Sequence, residues 1–384
     1  MKVFVIAGEA SGDRLGAALM AGLKSLRTVA FQGVAGPMMQ AEGMQSLFPM
    51  EELSVMGLAE ILPKYRQLKR RIDQTAQAVL AAKPDVLITI DSPDFSLRVA
   101  RRVKAASDIR TVHYVAPTVW AWRPGRAAKM AQVIDQVLAL FPFEPPFMQA
   151  AGMRCDFVGH PVVSEPVADA AEAQAFRAAQ GLGDAPLLLL LPGSRRGEVG
   201  RLMPVFGDVC ARLRRDQPGL RVVIPAVTHV ADMIGQATAA WPDKPLILDP
   251  RGVDAATFAA HKRAAFAAAD VALAASGTVS LELAASGTPM VIAYDMTWLS
   301  RQIISRMLLV DTVTLVNLVS DTRVVPEFIG SKCRPDLIAP AVRDVLAAPE
   351  AQRAAMELTM ERLGRGQAAP GLRAATAVLS GLDG

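Results

Sequence analysis

The feature that most restricts this chain is the alternation of short, β-branched apolar runs with longer amphipathic segments, because that rhythm closes most simply as βαβ units on a parallel sheet. Residues 2–7, 29–34, 85–90, 111–116 and 136–140 form one set of such runs, and residues 187–191, 221–225, 246–248, 270–274 and 290–293 form a second. Between the sets, Gly159-His160-Pro161 opens a stretch to about Ala173 where the strand rhythm lapses. The reading is an α/β chain of two Rossmann-like domains, residues 1–160 and 161–384, facing each other across a hinge. In such sheets ligands bind outside the carboxyl ends of the strands, so a cleft between the domains is expected.

Length and composition agree. At one domain per ~150 residues, a 384-residue chain has room for two full cores. Hydrophobic residues make up 52 % and charged ones 20 %, which excludes disorder. The longest apolar runs fall far short of the ~18 residues that a bilayer span requires. The apolar run after Lys2 ends at Ala7, too short for a signal peptide, so a cytoplasmic protein is expected. The net charge of +4 lacks the dense basic tracts of a nucleic-acid binder. Cys155, Cys210 and Cys333 are odd in number and widely spaced, and the four histidines form no HExxH, so neither a disulfide framework nor a metal site is expected.

Three segments of the first half carry candidate chemistry. Ala7-Gly8-Glu9-Ala10-Ser11-Gly12-Asp13 leaves the first strand and opens a helix near Arg14, with glycines four apart. That spacing is neither a dinucleotide fingerprint nor a phosphate loop. It suits a tight turn that a sugar or phosphate could approach, or a plain turn in which Ser11 or Asp13 caps the helix. In Ile90-Asp91-Ser92-Pro93-Asp94, Ser92 and Pro93 read as N-cap and first helical residue, which accounts for Asp94 in the first turn. Asp91 ends an apolar strand and is the candidate general base, with a loop-organising acceptor as the alternative. The stretch 113–126 places His113, Trp120, Trp122, Arg123 and Arg126 after a strand, a sugar-facing wall or part of the core.

In the second half, Pro192-Gly193-Ser194-Arg195 and Ser276-Gly277-Thr278 each follow an apolar strand and open a helix, presenting backbone N–H groups suited to a diphosphate. Arg195 adds a bidentate cation. Thr278 and Glu282 lie one turn apart, so Glu282 falls within reach of a ribose next to a phosphate at the helix start.

Taken together, AGEASGD, VAGPMMQAEG, MGLAEIL, DSPDF, HYVAPTVWAWR, VGHP, LLPGSRRGEV and SGTVSLELA resemble the lipid-A-disaccharide synthase family, inverting glycosyltransferases of the two-domain GT-B type. The resemblance runs from the first strand to about Asn317. Ala116, where a serine often precedes the proline, and residues 295–298, where a basic residue is common, depart from it. It implies transfer of 2,3-diacylglucosamine from its UDP derivative to the 6-hydroxyl of 2,3-diacylglucosamine 1-phosphate. Asp91 and Arg195 would be catalytic; Gly193, Ser194, Arg195, Ser276, Gly277, Thr278, Glu282 and Asn317 would hold UDP. Glu9, Ser11, Asp13, His113 and Trp122 would face the acceptor or sugar. No DxD triplet occurs, so neither metal nor cofactor is expected. A sugar-nucleotide epimerase or UDP-sugar-binding protein would keep the second-half motifs without needing an acyl-chain surface. Within 57–77, Leu58, Ile61, Leu62, Tyr65 and Leu68 form one apolar face flanked by Lys64, Arg66, Lys69, Arg70 and Arg71. The resemblance favours a helix that lies on the cytoplasmic face of the inner membrane over one packed on the sheet. It also allows the C-terminal helices to cross back or to a partner subunit in a homodimer.

Overall fold

The computed structural model describes residues 1–53, 58–122, 125–296 and 309–382, with the side chains of 58–65 outside the description. The chain divides into two units, Met1–Ser164 with Leu363–Gly384, and Glu165–Arg362. The first holds strands β1 (Lys2–Ala7), β2 (Ala30–Val34), β3 (Val86–Ile90), β4 (Arg110–Tyr114), β5 (Gln136–Ala139) and β6 (Arg154–Phe157). All pair in parallel in the order β2-β1-β3-β4-β5-β6. The second holds β7 (Leu187–Leu191), β8 (Arg221–Pro225), β9 (Leu246–Leu248), β10 (Val271–Ala275), β11 (Met290–Tyr294) and β12 (Glu327–Ile329). These are also parallel, in the order β12-β11-β10-β7-β8-β9.

Each sheet therefore reverses its strand order once: between β1 and β3 in the first unit, and between β7 and β10 in the second. Connections leave opposite faces at such a point and open a crevice at the carboxyl edge. The strands that flank both reversals are apolar apart from the exposed Lys2 at the start of β1 and the buried Thr89 in β3, because helices cover the two faces of a parallel sheet. β7 is five leucines in succession, all buried, and each contributes ~1.5–3 kcal/mol of transfer free energy. The three cysteines are free and buried.

The first unit is completed by the end of the chain. Helix Pro370–Leu382 crosses helix Ala10–Leu26 backbone to backbone: a Cβ on Gly371 would stand 2.5 Å from the Ala18 carbonyl oxygen, and one on Gly22 would stand 2.7 Å from that of Gly371. Gln136 Nε2 donates to the Ala377 carbonyl at 2.9 Å, and Arg373 Nη2 donates to that of Phe157 at 3.0 Å. The second unit thus ends at Arg362, and the first extends to Ser164, four residues past the boundary expected from the sequence.

Helix Leu58–Ala82 shows what its described half does. Ile72, Thr75, Ala76 and Val79 are buried at i, i+3, i+4 and i+7, so this half packs on the unit. Leu68 is half-buried, while Arg66, Lys69 and Arg70 are exposed. Arg71 is bound to Glu52 through Nε at 2.8 Å and Nη2 at 2.7 Å, and lies over the Phe48 ring. The side chains of Leu58, Ile61, Leu62 and Tyr65 lie outside the described residues. No described helix is long and apolar enough to cross a membrane.

Candidate active site

The first reversal is crowded to the point that side-chain atoms are excluded. A Cβ on Gly8, just past β1, would stand 2.4 Å from Ser92 Oγ, just past β3. Only glycine lets these turns meet, and their meeting brings the segment of Glu9 and Ser11 beside that of Asp91. Asp91 and Ser92 have φ of +50° and +45°, a left-handed pair that costs energy for residues with a Cβ and clusters at functional sites. The surroundings fix it: the Asp91 amide donates to the Tyr114 carbonyl at 3.0 Å, and Ser96 Oγ donates to the Asp91 carbonyl at 2.9 Å. The Asp91 side chain is half-buried and makes no hydrogen bond or ion pair among the described residues. Asp94 is exposed in the first turn of helix Pro93–Lys104, as its capping position predicts.

Two acceptor-side expectations need correction. Asp13 is 2 % exposed, and its carboxylate accepts the amides of Met38 at 2.8 Å and Met39 at 2.9 Å, so it holds the start of helix Pro37–Ala41. His113 is a core residue of β4, 2.7 Å from Thr89 Oγ1 through Nδ1, and burial pushes it down to about 4. So enclosed, the imidazole packs the sheet rather than lying open at its carboxyl edge. Glu9 is half-buried at the extended N-cap of helix Ala10–Leu26, which begins four residues before Arg14, and Ser11 is exposed on its first turn. Trp122 is half-buried, with Nε1 donating to Thr118 Oγ1 at 3.0 Å; Arg123 lies outside the described residues, and Arg126 is half-buried in helix Gly125–Met130.

At the second reversal, β7 and β10 lie side by side, and the turns leaving them are the two diphosphate candidates. Gly193 has φ +99°, and a Cβ there would stand 2.6 Å from Glu198 Oε2. Glu198 is buried beneath the turn; Oε2 accepts the Arg195 amide at 3.2 Å and Oε1 accepts Arg195 Nη1 at 3.0 Å. This is the glutamate half of a capping box. The Arg195 side chain stays 65 % exposed beyond that contact. His229 Nε2 lies 2.7 Å from the exposed Ser194's carbonyl oxygen. Tyr294 Oη stands 3.5 Å from Glu198 Oε1, and burial followed by the Glu198 charge raises the phenol above its usual range. Across the reversal, Ser276 is half-buried, whereas Gly277 at φ +155° and Thr278 are exposed, with open space where a Gly277 Cβ would stand.

Glu282 pairs with Lys262 Nζ at 2.6 Å and remains about one-third exposed. Asn317 needs correction: it is 1 % exposed, its Nδ2 donates to the Val325 carbonyl at 2.9 Å and to Thr312 Oγ1 at 3.2 Å, and its Oδ1 accepts the Val325 amide at 3.0 Å. Those bonds tie helix Leu315–Ser320 to Thr312 and Val325. Residues 297 and 298 of the departing stretch lie outside the described residues. Glu198, His229 and Tyr294 are site neighbours that sequence reasoning did not single out. Glu198 had a signal, an acidic residue three past a helix start; His229 and Tyr294 had only their place at strand ends. No group of three or more His, Cys, Asp or Glu among the described residues is placed to hold a metal ion.

A sequence-family description, lipid-A-disaccharide synthetase, matches residues 3–374. A lipid-A-disaccharide synthase of Ruegeria pomeroyi is 67 % identical over 100 % of this chain and 96 % of its own length. One of Rhodospirillum centenum is 47 % identical over 98 % and 94 %. Among solved structures, UDP-GlcNAc 2-epimerase from Neisseria meningitidis bound to UDP-GlcNAc superposes with TM-score 0.64 at 13 % identity, covering 100 % of this chain and 99 % of that one. An Anabaena protein in complex with UDP and glucose gives TM-score 0.56 at 11 % identity, covering 100 % and 99 %. At such identities these two establish the fold alone, two parallel-sheet units of GT-B type. Sequence likeness over nearly its full length decides the rest: the chain belongs to the lipid-A-disaccharide synthase family.

Proposed function

We infer that the chain is a glycosyltransferase that carries out the reaction of its family. It joins 2,3-diacylglucosamine from the UDP derivative to the 6-hydroxyl of 2,3-diacylglucosamine 1-phosphate, with inversion, releasing UDP. Family membership across residues 3–374 is the observation that carries this reading.

The residue roles we assign draw on the two reversals. Asp91, held by its backbone and with a carboxylate that meets no partner among the described residues, takes the proton from the acceptor hydroxyl as that oxygen attacks the anomeric carbon. The glycosidic carbon–oxygen bond to UDP breaks in the same step. Negative charge then grows on the departing diphosphate, and the exposed Arg195 guanidinium meets it by leaving Glu198, aided by amides of the turns at Gly193, Ser194, Ser276, Gly277 and Thr278. Glu282 serves the ribose by exchanging its partner Lys262. Glu9, Ser11 and Trp122 remain the acceptor-side candidates. With no DxD triplet in the sequence, the protein's own cations take the part that a metal plays in other transferases.

Diacylated substrates reside in a bilayer, so we place the enzyme at the cytoplasmic face of the inner membrane, held through Leu58, Ile61, Leu62, Tyr65 and Leu68 and the exposed Arg66, Lys69 and Arg70. The deciding experiment incubates the purified protein with both diacylglucosamine substrates and reads the products by mass spectrometry. Disaccharide 1-phosphate plus UDP is expected; an epimerised sugar nucleotide with no disaccharide overturns the assignment.

A further inference from the structure

The first unit buries one more carboxyl group at the carboxyl edge of its sheet, one that the reaction above does not use. Glu144 is 2 % exposed, in the turn after β5. Its Oε2 accepts the amides of Leu140 at 3.0 Å and Phe141 at 2.9 Å. A buried carboxyl group is tolerated only where such bonds are made. The Trp120 indole N–H is buried and makes no hydrogen bond among the described residues. The Trp120 ring packs edge-on against Phe143 at 5.0 Å, and Phe143 stacks on Phe141 at 5.4 Å. The turn after β5 therefore grips the aromatic segment that leaves β4.

That segment starts under strain. Val115 has φ +83°, where a β-branched residue is an outlier that its surroundings must impose. Its amide donates to the Leu138 carbonyl at 3.0 Å, and one residue earlier the Tyr114 carbonyl accepts the Asp91 amide at 3.0 Å. Glu144 thus anchors the turn whose Phe143 packs on Trp120, and the segment that carries Trp120 leaves β4 just after the Tyr114 carbonyl that binds the Asp91 amide.

We propose that Glu144 is a positioning residue for the transfer reaction: by clamping the turn whose Phe143 packs on Trp120, it holds residues 115–122 in their strained path and so fixes the seat of Asp91. The proposal rests on the role assigned to Asp91 above. An ionised carboxylate accepts N–H groups more strongly than a neutral one, so the clamp tightens as Glu144 loses its proton. Burial raises Glu144 to about 7, against the amides of Phe141 and Leu140 and the Trp120 indole, which lower it. Its titratable neighbours keep one state there: burial pushes the Cys155 thiol on β6 up to about 12, holds His160 at about 4, and raises the Tyr114 phenol. Asp156 is paired with Arg154, and Arg373 lies over Phe157.

The test uses the full chain and two readouts. Trp120 fluorescence, taken as the difference between the wild type and Trp120→Phe, is followed from pH 5.5 to 8.5; a transition centred near the Glu144 value of about 7 is expected in the wild type and absent in Glu144→Gln. In disaccharide synthesis, Glu144→Ala is expected to lose about 10- to 100-fold in kcat, the scale of a small misplacement of a reacting group, with the KM for the UDP-sugar unchanged. Glu144→Gln, which keeps an oxygen acceptor, should recover most of that loss. An unchanged fluorescence transition in Glu144→Gln overturns the clamp, and a wild-type kcat in Glu144→Ala overturns the positioning role. If Glu144→Ala fails to fold, the same two readouts on Glu144→Gln decide, a wild-type pH profile of kcat then being the overturning result. Absence of disaccharide from the wild type, with the transition intact, refutes the assigned reaction and the positioning role together, whereas loss of the transition alone does not touch the reaction.

Discussion

At the reversal of the first sheet the protein uses strained backbone and enclosed polar groups: Asp91, Ser92 and Val115 in left-handed conformations, with Asp13, His113 and Glu144 all buried. At the reversal of the second it uses glycine turns and exposed side chains, with Gly193 and Gly277 at positive φ and Ser194, Arg195 and Thr278 open to solvent. A proton acceptor has to be held still against one hydroxyl, and rigidity there is gained from groups that have no other partner to seek. On the role proposed above, a diphosphate is held by charge and N–H donors that must be available to it, and the Arg195 side chain, though bonded to Glu198, stays 65 % exposed. On the roles proposed above, the same topology would serve two kinds of chemistry through what is placed at its edge.

The sharpest way to break this contrast is at Asp91. Asp91→Asn should keep the fold and UDP affinity while losing about 10²- to 10⁴-fold in turnover; a near-normal rate would move the base to Glu9. Next in size is acid stability. Both buried histidines, His113 and His160, lie in the first unit and are held down to about 4 by burial. The unfolded chain takes up protons at these sites from about pH 6.5 downward, before the folded one does, so stability is lost as pH falls from there to 4, by about 3 kcal/mol per histidine. Glu144, raised to about 7, works in the opposite sense and gains stability as pH falls through that value. Hydrogen exchange should show the first unit opening before the second at pH 5, and Glu144→Gln should steepen the decline. Equal loss in both units would end the contrast.

On the second unit, Arg195→Ala should weaken UDP binding and turnover together by about 10- to 150-fold, the worth of a hydrogen bond to a charged group, and chelation of divalent ions should leave the rate unchanged. The membrane contribution is smaller, at ~1 kcal/mol per basic residue near an anionic surface. Sedimentation with anionic liposomes should fall with salt, and the triple change of Ile61, Leu62 and Leu68 to Ser should abolish it without lowering the melting temperature. A large drop in that temperature would mean these side chains pack in the core. Smallest is Glu282→Ala, expected to reduce UDP affinity about 2- to 10-fold, one ordinary hydrogen bond, with kcat intact.

Ten of the twelve described strands could be read from the sequence: the eight central ones because central strands of a parallel sheet are apolar on both faces, and the edge strands β2 and β9 from their apolar ends. The two that escaped, β6 and β12, are edge strands: β6 carries Arg154 and Asp156, and β12 is three half-buried residues beginning with Glu327. The turns at both reversals were legible for the same reason, since they interrupt long apolar runs with glycine and polar residues. What sequence could not show is whether a polar side chain near such a turn faces outward or is consumed by the fold. Asp13 and Asn317 sit in the right segments, yet each is saturated by backbone groups distant in the chain from any turn that flags it, the amides of Met38 and Met39 and both backbone groups of Val325. Nor does any residue pattern betray a valine with positive φ.

The return of helix Pro370–Leu382 to the first unit also bears on how the molecule comes into being. Residues 1–164 leave the ribosome first, but the partner of helix Ala10–Leu26 follows only after the whole second unit has been made, a wait of roughly 10–40 s at ~5–20 residues per second. Through that interval Leu19, Met20 and Leu23, fully buried in the finished protein, belong to a unit still short of its last helix. Nascent chains stalled just before residue 363 are expected to be cut by protease in the first unit, and the cut should vanish once residue 382 has emerged. Protection at the earlier stall would show that the first unit closes without its final helix.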